Sequence, residues 1–568
     1  MHNTRRCRGG CGKAIAEPGI LAAVLLIVAA QFGGEPAWGQ QVPTSVDPGQ
    51  IERRFDTKPK LRDQPGPEIE APAPAPGVAP ETRAAFKLAA VRVEGMTVYA
   101  AGAFAAFYEG LIGRDVTLAD MAGVAKLITG RYQDAGYVLS RAVAPDSVPA
   151  DGIVVIKVVE GFIAQVAIEG DVAGDAAILQ AYGNKIADER PTTVGNLERY
   201  VLLISDLPGV SVRPLLEVID ASEGSYKLIL AMQQTDFAAS AQADNRGSKF
   251  IGPYQFQAGA LFNTPLGLYD SERLRIATTP DVSELIFIDG VFSLPVGSEG
   301  TLLTFESSYD RSSPGFTLES LDIRSHSFRF EVYGSHPVIR SRHLDLYATA
   351  RFTYRNAMSD QMGVRAFEDR LRVLRGGGVL SFDDAADGRD WFSLEISHGL
   401  DVLGASGSKS PATSDPSANT GFVKGTLEAS RYQRVGEAWG LLVLAGGQYA
   451  SGALLASEEM GLGGERFGRA YDPSEITGAD GLAGRLEIQR DFWPEDLPIN
   501  QAQLYAFYDI GKVWNPGQQS LSSAGGGVRV QLPYGLFAYV EIAKPLTRSV
   551  FTEGDKDPRF FFVVRDDF

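Results

Sequence analysis

Beyond residue 39 the chain contains no cysteine, because its two cysteines, Cys7 and Cys11, both lie upstream. Disulfides therefore stabilise nothing past that point, and the Cys-x-x-x-Cys pair beside a cluster of arginines is given no metal or redox role. Histidine is scarce as well. His326, His336, His343 and His398 remain, without metal-ligand spacing, so no metal is expected. No uninterrupted run of about eighteen apolar residues occurs, so any membrane span must be made of strands. Basic residues are outnumbered, 53 Lys and Arg against 70 Asp and Glu. Phosphate backbones require clustered cations, so no nucleic-acid partner is expected. Enzyme motifs are missing too. There is no Gly-x-Ser-x-Gly; Gly407-Ser-Lys-Ser410 lacks the rest of a phosphate loop; and Gly478-Ala-Asp-Gly-Leu-Ala-Gly484 joins a loop to a strand. Catalysis and cofactors are not expected.

The residues that are present are strongly ordered along the chain. Arg5, Arg6, Arg8 and Lys13 precede a short apolar run over residues 20–30, and Ala37-Trp-Gly39 resembles a signal-peptidase site. Residues 1–39 read as a secretory signal. Its removal takes away four positive and two negative side chains, moving the formal charge from −17 to −19. Residues 40–61 form an N-terminal segment in which Asp47 can cap a short helix and Pro48 suits its first turn. A Pro/Ala-rich linker occupies residues 62–85 and is expected to be stiff and extended.

From residue 86 to 161 the pattern is a strand (86–94), two helical stretches (103–112 and 118–135) and two strands (137–143 and 153–159). Residues 162–236 repeat that order. Val91-Arg-Val-Glu-Gly95 aligns with Val166-Ala-Ile-Glu-Gly170, so the chain carries a duplicated βααββ module of about seventy-five residues. Each module has an edge strand with unpaired N–H and C=O groups, onto which another extended strand can add. In the second module Val210 to Val218, or its neighbour, is the candidate edge.

Residues 237–568 lack a helical signal. Alternating segments separated by Gly, Asn, Asp and Pro turns run to Phe568. Along one, Leu344, Leu346, Ala348, Ala350 and Phe352 alternate with Asp345, Tyr347, Thr349, Arg351 and Thr353. At about twenty residues per strand plus turn, this region accommodates about sixteen antiparallel strands of a transmembrane barrel. The stretch 404–420, rich in Ser, Pro, Asn and Thr, reads as an external loop.

Two segments carry the most information. Phe507-Tyr-Asp-Ile-Gly511 places Phe507, Asp509 and Gly511 on one face and Tyr508 and Ile510 on the other; Gly463-Gly-Glu-Arg-Phe-Gly-Arg-Ala-Tyr-Asp472 is a glycine-bracketed loop. If the loop folds into the barrel, Arg469 and Asp509 can form a fork-shaped ion pair there. Taken alone, these residues would be a solvated loop arginine and a lumen-facing charge.

In this order the parts resemble the outer-membrane transporters of two-partner secretion, the haemolysin-secretion and filamentous-haemagglutinin-secretion type of the Omp85 superfamily. The resemblance covers nearly all of the chain after the signal. It rests on the leading helix and linker, two POTRA modules, and a C-terminal barrel. Gly136-Tyr-Val-Leu-Ser-Arg-Ala142, Asp244-Asn-Arg-Gly-Ser248 and His336-Pro-Val-Ile-Arg-Ser-Arg342 carry it further. The superfamily's loop-six motif, usually Val-Arg-Gly-Phe or Val-Arg-Gly-Tyr, here reads Gly468-Arg-Ala-Tyr471, and Phe-x-Asp-x-Gly is matched in full. Ala470 in place of glycine makes a positive φ there doubtful. The resemblance implies that Arg469 and Tyr471, with Phe507, Asp509 and Gly511, anchor the loop. It also implies a leading helix that plugs the barrel, an unfolded exoprotein as client, outer-membrane lipid as surroundings, and a periplasmic site for the modules of a chain acting as a monomer. An Omp85-type insertase is the alternative, and a passive porin, which needs no POTRA repeat, is disfavoured.

Overall fold

The computed structural model describes residues 43–55, 85–170, 172–494 and 496–568; the expected signal 1–39 and the expected linker up to residue 84 lie outside them. Sixteen antiparallel strands, from Phe237–Asp244 to Arg559–Asp567, close into one barrel. Period-two alternation produces its two faces. Leu274, Ile276, Leu394, Ile396 and Ile542 are exposed on the outside, while Asp289, Arg329, Glu331, Thr353 and Glu541 are buried within. The closing ladder is the shortest of the barrel, running from Val563 opposite Asp244 to Asp567 opposite Ser240. Asn245 extends it. Its side-chain amide donates to the Phe560 carbonyl (2.9 Å), and its side-chain oxygen accepts from the Phe562 N–H (2.7 Å).

Each module is a three-stranded sheet whose last strand in sequence lies in the middle. In the first, Ile153–Val159 lies between Ala90–Glu94 and Arg141–Val143; in the second, Ser225–Gln234 lies between Phe162–Glu169 and Val210–Asp220. Helix Leu118–Asp134 starts at a reciprocal cap between Thr117 and Asp120. The second module has helices Ala176–Ala187 and Val194–Ser205.

The first expected helix, 103–112, is instead two 3₁₀ turns, Ala105–Phe107 and Glu109–Leu111. Phe104 and Phe107 are three apart, and a 3₁₀ turn eclipses such positions, which lets their rings stack at 6.0 Å. Likewise only Arg141–Val143 of the expected strand 137–143 is paired, because Leu139 turns away into the core of the second module.

The second module is also joined to the barrel. Tyr269, on the turn between strands Gln255–Asn263 and Ser271–Thr278, is fully buried in that module's core. Arg340, at the end of the barrel strand Ile323–Arg340, forms a two-pronged pair with Asp206 at 2.7 Å in both arms.

Glu160, between the modules, accepts from Tyr132 Oη (2.7 Å) and from the N–H groups of Thr97 (2.8 Å) and Val98 (3.1 Å). Burial pushes its carboxyl up, but these donors outweigh burial and hold it below the usual glutamate value. The stability it contributes is present above the unfolded-state value and lost as pH falls through the lower folded-state value. Glu160→Gln is expected to flatten the acid limb of the first module's melting curve; an unchanged limb would remove this role.

Candidate functional site

Between strands Trp439–Ala450 and Asp480–Phe492 the chain turns back into the bore as a hairpin, Met460–Leu462 paired with Ile476–Gly478. Its tip carries Arg469, only 2% exposed, and strand Gln501–Trp514 presents Asp509, fully buried. Arg469 and Asp509 meet, though not as an isolated fork. Arg469 Nε is 3.3 Å from Asp509 Oδ2, while its shortest ion pair is Nη1 to Glu487 Oε2 at 2.6 Å, and Glu541 Oε2 lies 3.4 Å away. The guanidinium also stands 3.3 Å over the centre of the Phe507 ring. Asp509 Oδ2 accepts from the N–H groups of Gly468 (3.1 Å) and Arg469 (3.0 Å), and Oδ1 from Arg485 Nε (3.1 Å). The carboxylate thus holds the loop's backbone as well as its charge.

The other sequence-derived residues fall around this pair. Tyr471 Oη donates to the Ser522 carbonyl at 3.0 Å. A Cβ on Gly511 would stand 2.6 Å from Leu462 Cδ1, so glycine lets the hairpin lie against the wall. Ala470 needs no positive φ. That geometry falls on Gly468 (φ +93°), and Ala470 is buried with Tyr505, Phe507, Ala543 and Phe561.

Sequence reasoning missed several partners. Arg246, from the Asp244-Asn-Arg-Gly-Ser248 motif, pairs with Glu541 (2.7 Å) and donates to the Arg469 carbonyl (3.3 Å). Arg529 pairs with Glu487 at 2.7 Å. Glu458, at the base of the loop, is held between Arg375 (2.6 Å) and Lys424 (2.7 Å). Their signal is parity: each wall residue among them lies on the lumen face of its strand.

The N-terminal helix, Pro48–Arg53, occupies the same bore. Asp47 caps it by accepting from Gly49 N (2.8 Å), with Pro48 in its first turn. Gly49 has no room for a Cβ beside Ser457. Gln50 donates to the Ala456 carbonyl (2.5 Å), Arg54 pairs with Asp244 (3.2 Å), and Glu52 binds Arg329 (2.6 Å) and Arg355 (3.0 Å). The external stretch 404–420 also bends inward, where Ser414 N and Oγ donate to Asp369 at 2.9 and 2.6 Å.

In the second module, strand Val210–Asp220 is a sheet edge. Thr235 N donates to the Gly209 carbonyl (2.9 Å), which fixes the alternation. Ser211, Arg213, Leu215 and Glu217 then face their partner strand, while the main chains of Val212, Leu216 and Val218 face outward. Pro214 falls at an outward position, where its missing N–H costs no ladder bond. Leu215, Val218 and Ile219 are exposed beside this edge.

A closed barrel with an inward-folded loop, preceded by two βααββ modules, defines an outer-membrane transporter of the Omp85 type. Residues 224–532 match the family "Haemolysin secretion/activation protein ShlB/FhaC/HecB", and residues 86–161 match "POTRA domain, ShlB-type". The chain belongs to this haemolysin secretion/activation family. It is similar to the heme/hemopexin transporter protein HuxB of Haemophilus influenzae, 23% identical over 77% of this chain and 80% of that one. It is also similar to the outer membrane transporter CdiB of Dickeya dadantii, 24% identical over 71% and 72%. The solved structure of CdiB from Escherichia coli shares the fold, with a TM-score of 0.72 at 19% identity over 89% of this chain and 94% of that one. The protein is a two-partner secretion transporter of the outer membrane, with its POTRA modules in the periplasm.

Proposed function

We propose that the chain captures an unfolded exoprotein as a strand added to the open edge of Val210–Asp220 and passes it through its own bore. The reading rests above all on one observation: among the described residues, the bore holds the helix Pro48–Arg53 and the loop hairpin, neither of which is part of its wall. A client path opens when the helix leaves, while the Arg469 cluster keeps the loop in place beside that path. Outward main-chain groups hold a client without demanding much sequence, and Pro214 interrupts the ladder. Interrupted pairing favours release. The barrel closes on itself, so a single copy in outer-membrane lipid suffices.

Val218→Pro removes one outward N–H without breaking the module's own ladder. A net hydrogen bond contributes about 0.5–1.5 kcal/mol. The variant is therefore expected to bind an unfolded fragment of its exoprotein about two- to tenfold more weakly, measured by titration calorimetry. Unchanged affinity would move the capture site off this edge.

A further inference from the structure

One buried side chain has no task in client capture or loop anchoring. Asp310 is 1% exposed, yet neither carboxylate oxygen has a hydrogen-bond partner among the described residues. Arg355 Nε, on the same wall, is also unpartnered. The register explains their proximity: Asp310 lies opposite Ser327, Ser308 opposite Arg329, and Arg329 opposite Arg355. All five share the lumen face, with Asp310 on a diagonal from Arg329, within reach of long side chains.

Glu52 of the N-terminal helix sits in this group. Its Oε1 is 2.6 Å from Arg329 Nε and its Oε2 3.0 Å from Arg355 Nη2, with hydroxyls of Ser308 and Ser327 donating to it. Arg329 has a second carboxylate, Glu306, at 2.6 Å. Among the described residues, Glu52 is the carboxylate that pairs with Arg355. The charges facing Asp310 are Glu52 and Asp47 of the helix segment and Arg355 and Arg329 of the wall.

We propose that Asp310 is the exchange partner for Glu52: when the helix leaves the bore, Arg355 passes from Glu52 to Asp310. The inference rests on the reading that the helix departs. Breaking a buried ion pair is costly chiefly because it strands the remaining charge. Here the wall carries its own replacement, an acceptor left idle while the helix is seated. Unplugging then exchanges one partner for another and leaves no arginine stranded.

The test compares four proteins: the full chain and the chain lacking residues 40–55, each with Asp310 or with Asp310→Asn. Melting is followed by the heat-dependent shift in electrophoretic mobility, and opening by conductance in planar bilayers. In the full chain, Asp310→Asn is expected to raise the melting midpoint and to make openings about tenfold rarer, equivalent to about 1.4 kcal/mol. In the truncated chain it is expected to lower the midpoint, because Arg355 loses its only replacement. A truncated midpoint that rises or stays put would overturn the exchange, even where truncation itself raises conductance. Truncation without any rise in conductance would overturn the helix reading, and the exchange with it. Asp310→Ser, which also removes the charge, should reproduce the reversal of sign if the asparagine variant fails to assemble.

Discussion

Arg469→Ala is expected to stop secretion while the barrel still inserts and folds. The guanidinium is shared by Glu487, Asp509 and Glu541 and is stacked on Phe507, all out of water. Removing one partner of a buried network costs about 3–5 kcal/mol, whereas the same pair in water would contribute about 0–1 kcal/mol. A loss of about 3 kcal/mol shifts the docking equilibrium of the loop by about a hundredfold. The wall keeps its own ladder, so the heat-modifiable band of the folded barrel should persist. Asp509→Ala should behave alike, because it also releases the N–H groups of Gly468 and Arg469. Arg469→Lys should fall between, since lysine keeps the charge but loses the planar stack. Exoprotein in the medium, measured against folded barrel in the membrane, separates these outcomes. Full secretion by the alanine variants would end the anchoring role.

Deleting residues 40–55 is expected to produce the second large effect, a marked rise in ion conductance. The helix fills part of the bore and is fixed there to the wall and to the loop. Glu52 reaches Arg329 and Arg355, and Arg54 reaches Asp244, all on the wall, while Gln50 reaches the Ala456 carbonyl of the loop. Its removal takes away a solid obstruction and leaves charged groups lining the space. Planar-bilayer recordings of the purified full chain and the deletion give the comparison. Equal conductance would show that the helix does not block the bore.

The barrel was legible because alternation is a local property. In Gln501–Trp514, buried Tyr505, Phe507 and Asp509 alternate with exposed Leu504 and Tyr508, as period two requires. Arg469 and Asp509 could be matched because each lies in a recognisable motif. Glu487, Glu541 and Arg529 could not, since each is one lumen charge among many and only barrel closure brings their strands together; Arg246 lies in a recognised motif, but nothing local pairs it with Glu541. The loop 404–420 is largely exposed, as its composition suggests, but its contact at Ser414 was not legible for a related reason. Its composition is that of a solvated surface, but Asp369 on a neighbouring strand supplies a buried acceptor that composition cannot reveal. The 3₁₀ turns near Phe104 show the opposite limit, where ring stacking at a three-residue spacing overrode an apparent helical stretch.

Tyr269 and Leu139 have a mechanical consequence. Each is donated by one body and buried in the core of the second module, so neither joint is a loose tether. A pull exerted by cargo on the second module is therefore passed directly to the turn that bears Tyr269. That turn continues into strand Gln255–Asn263, the immediate neighbour of Phe237–Asp244, whose other side forms the short closing ladder. Load gathered in the periplasm therefore arrives one strand away from the shortest join in the cylinder.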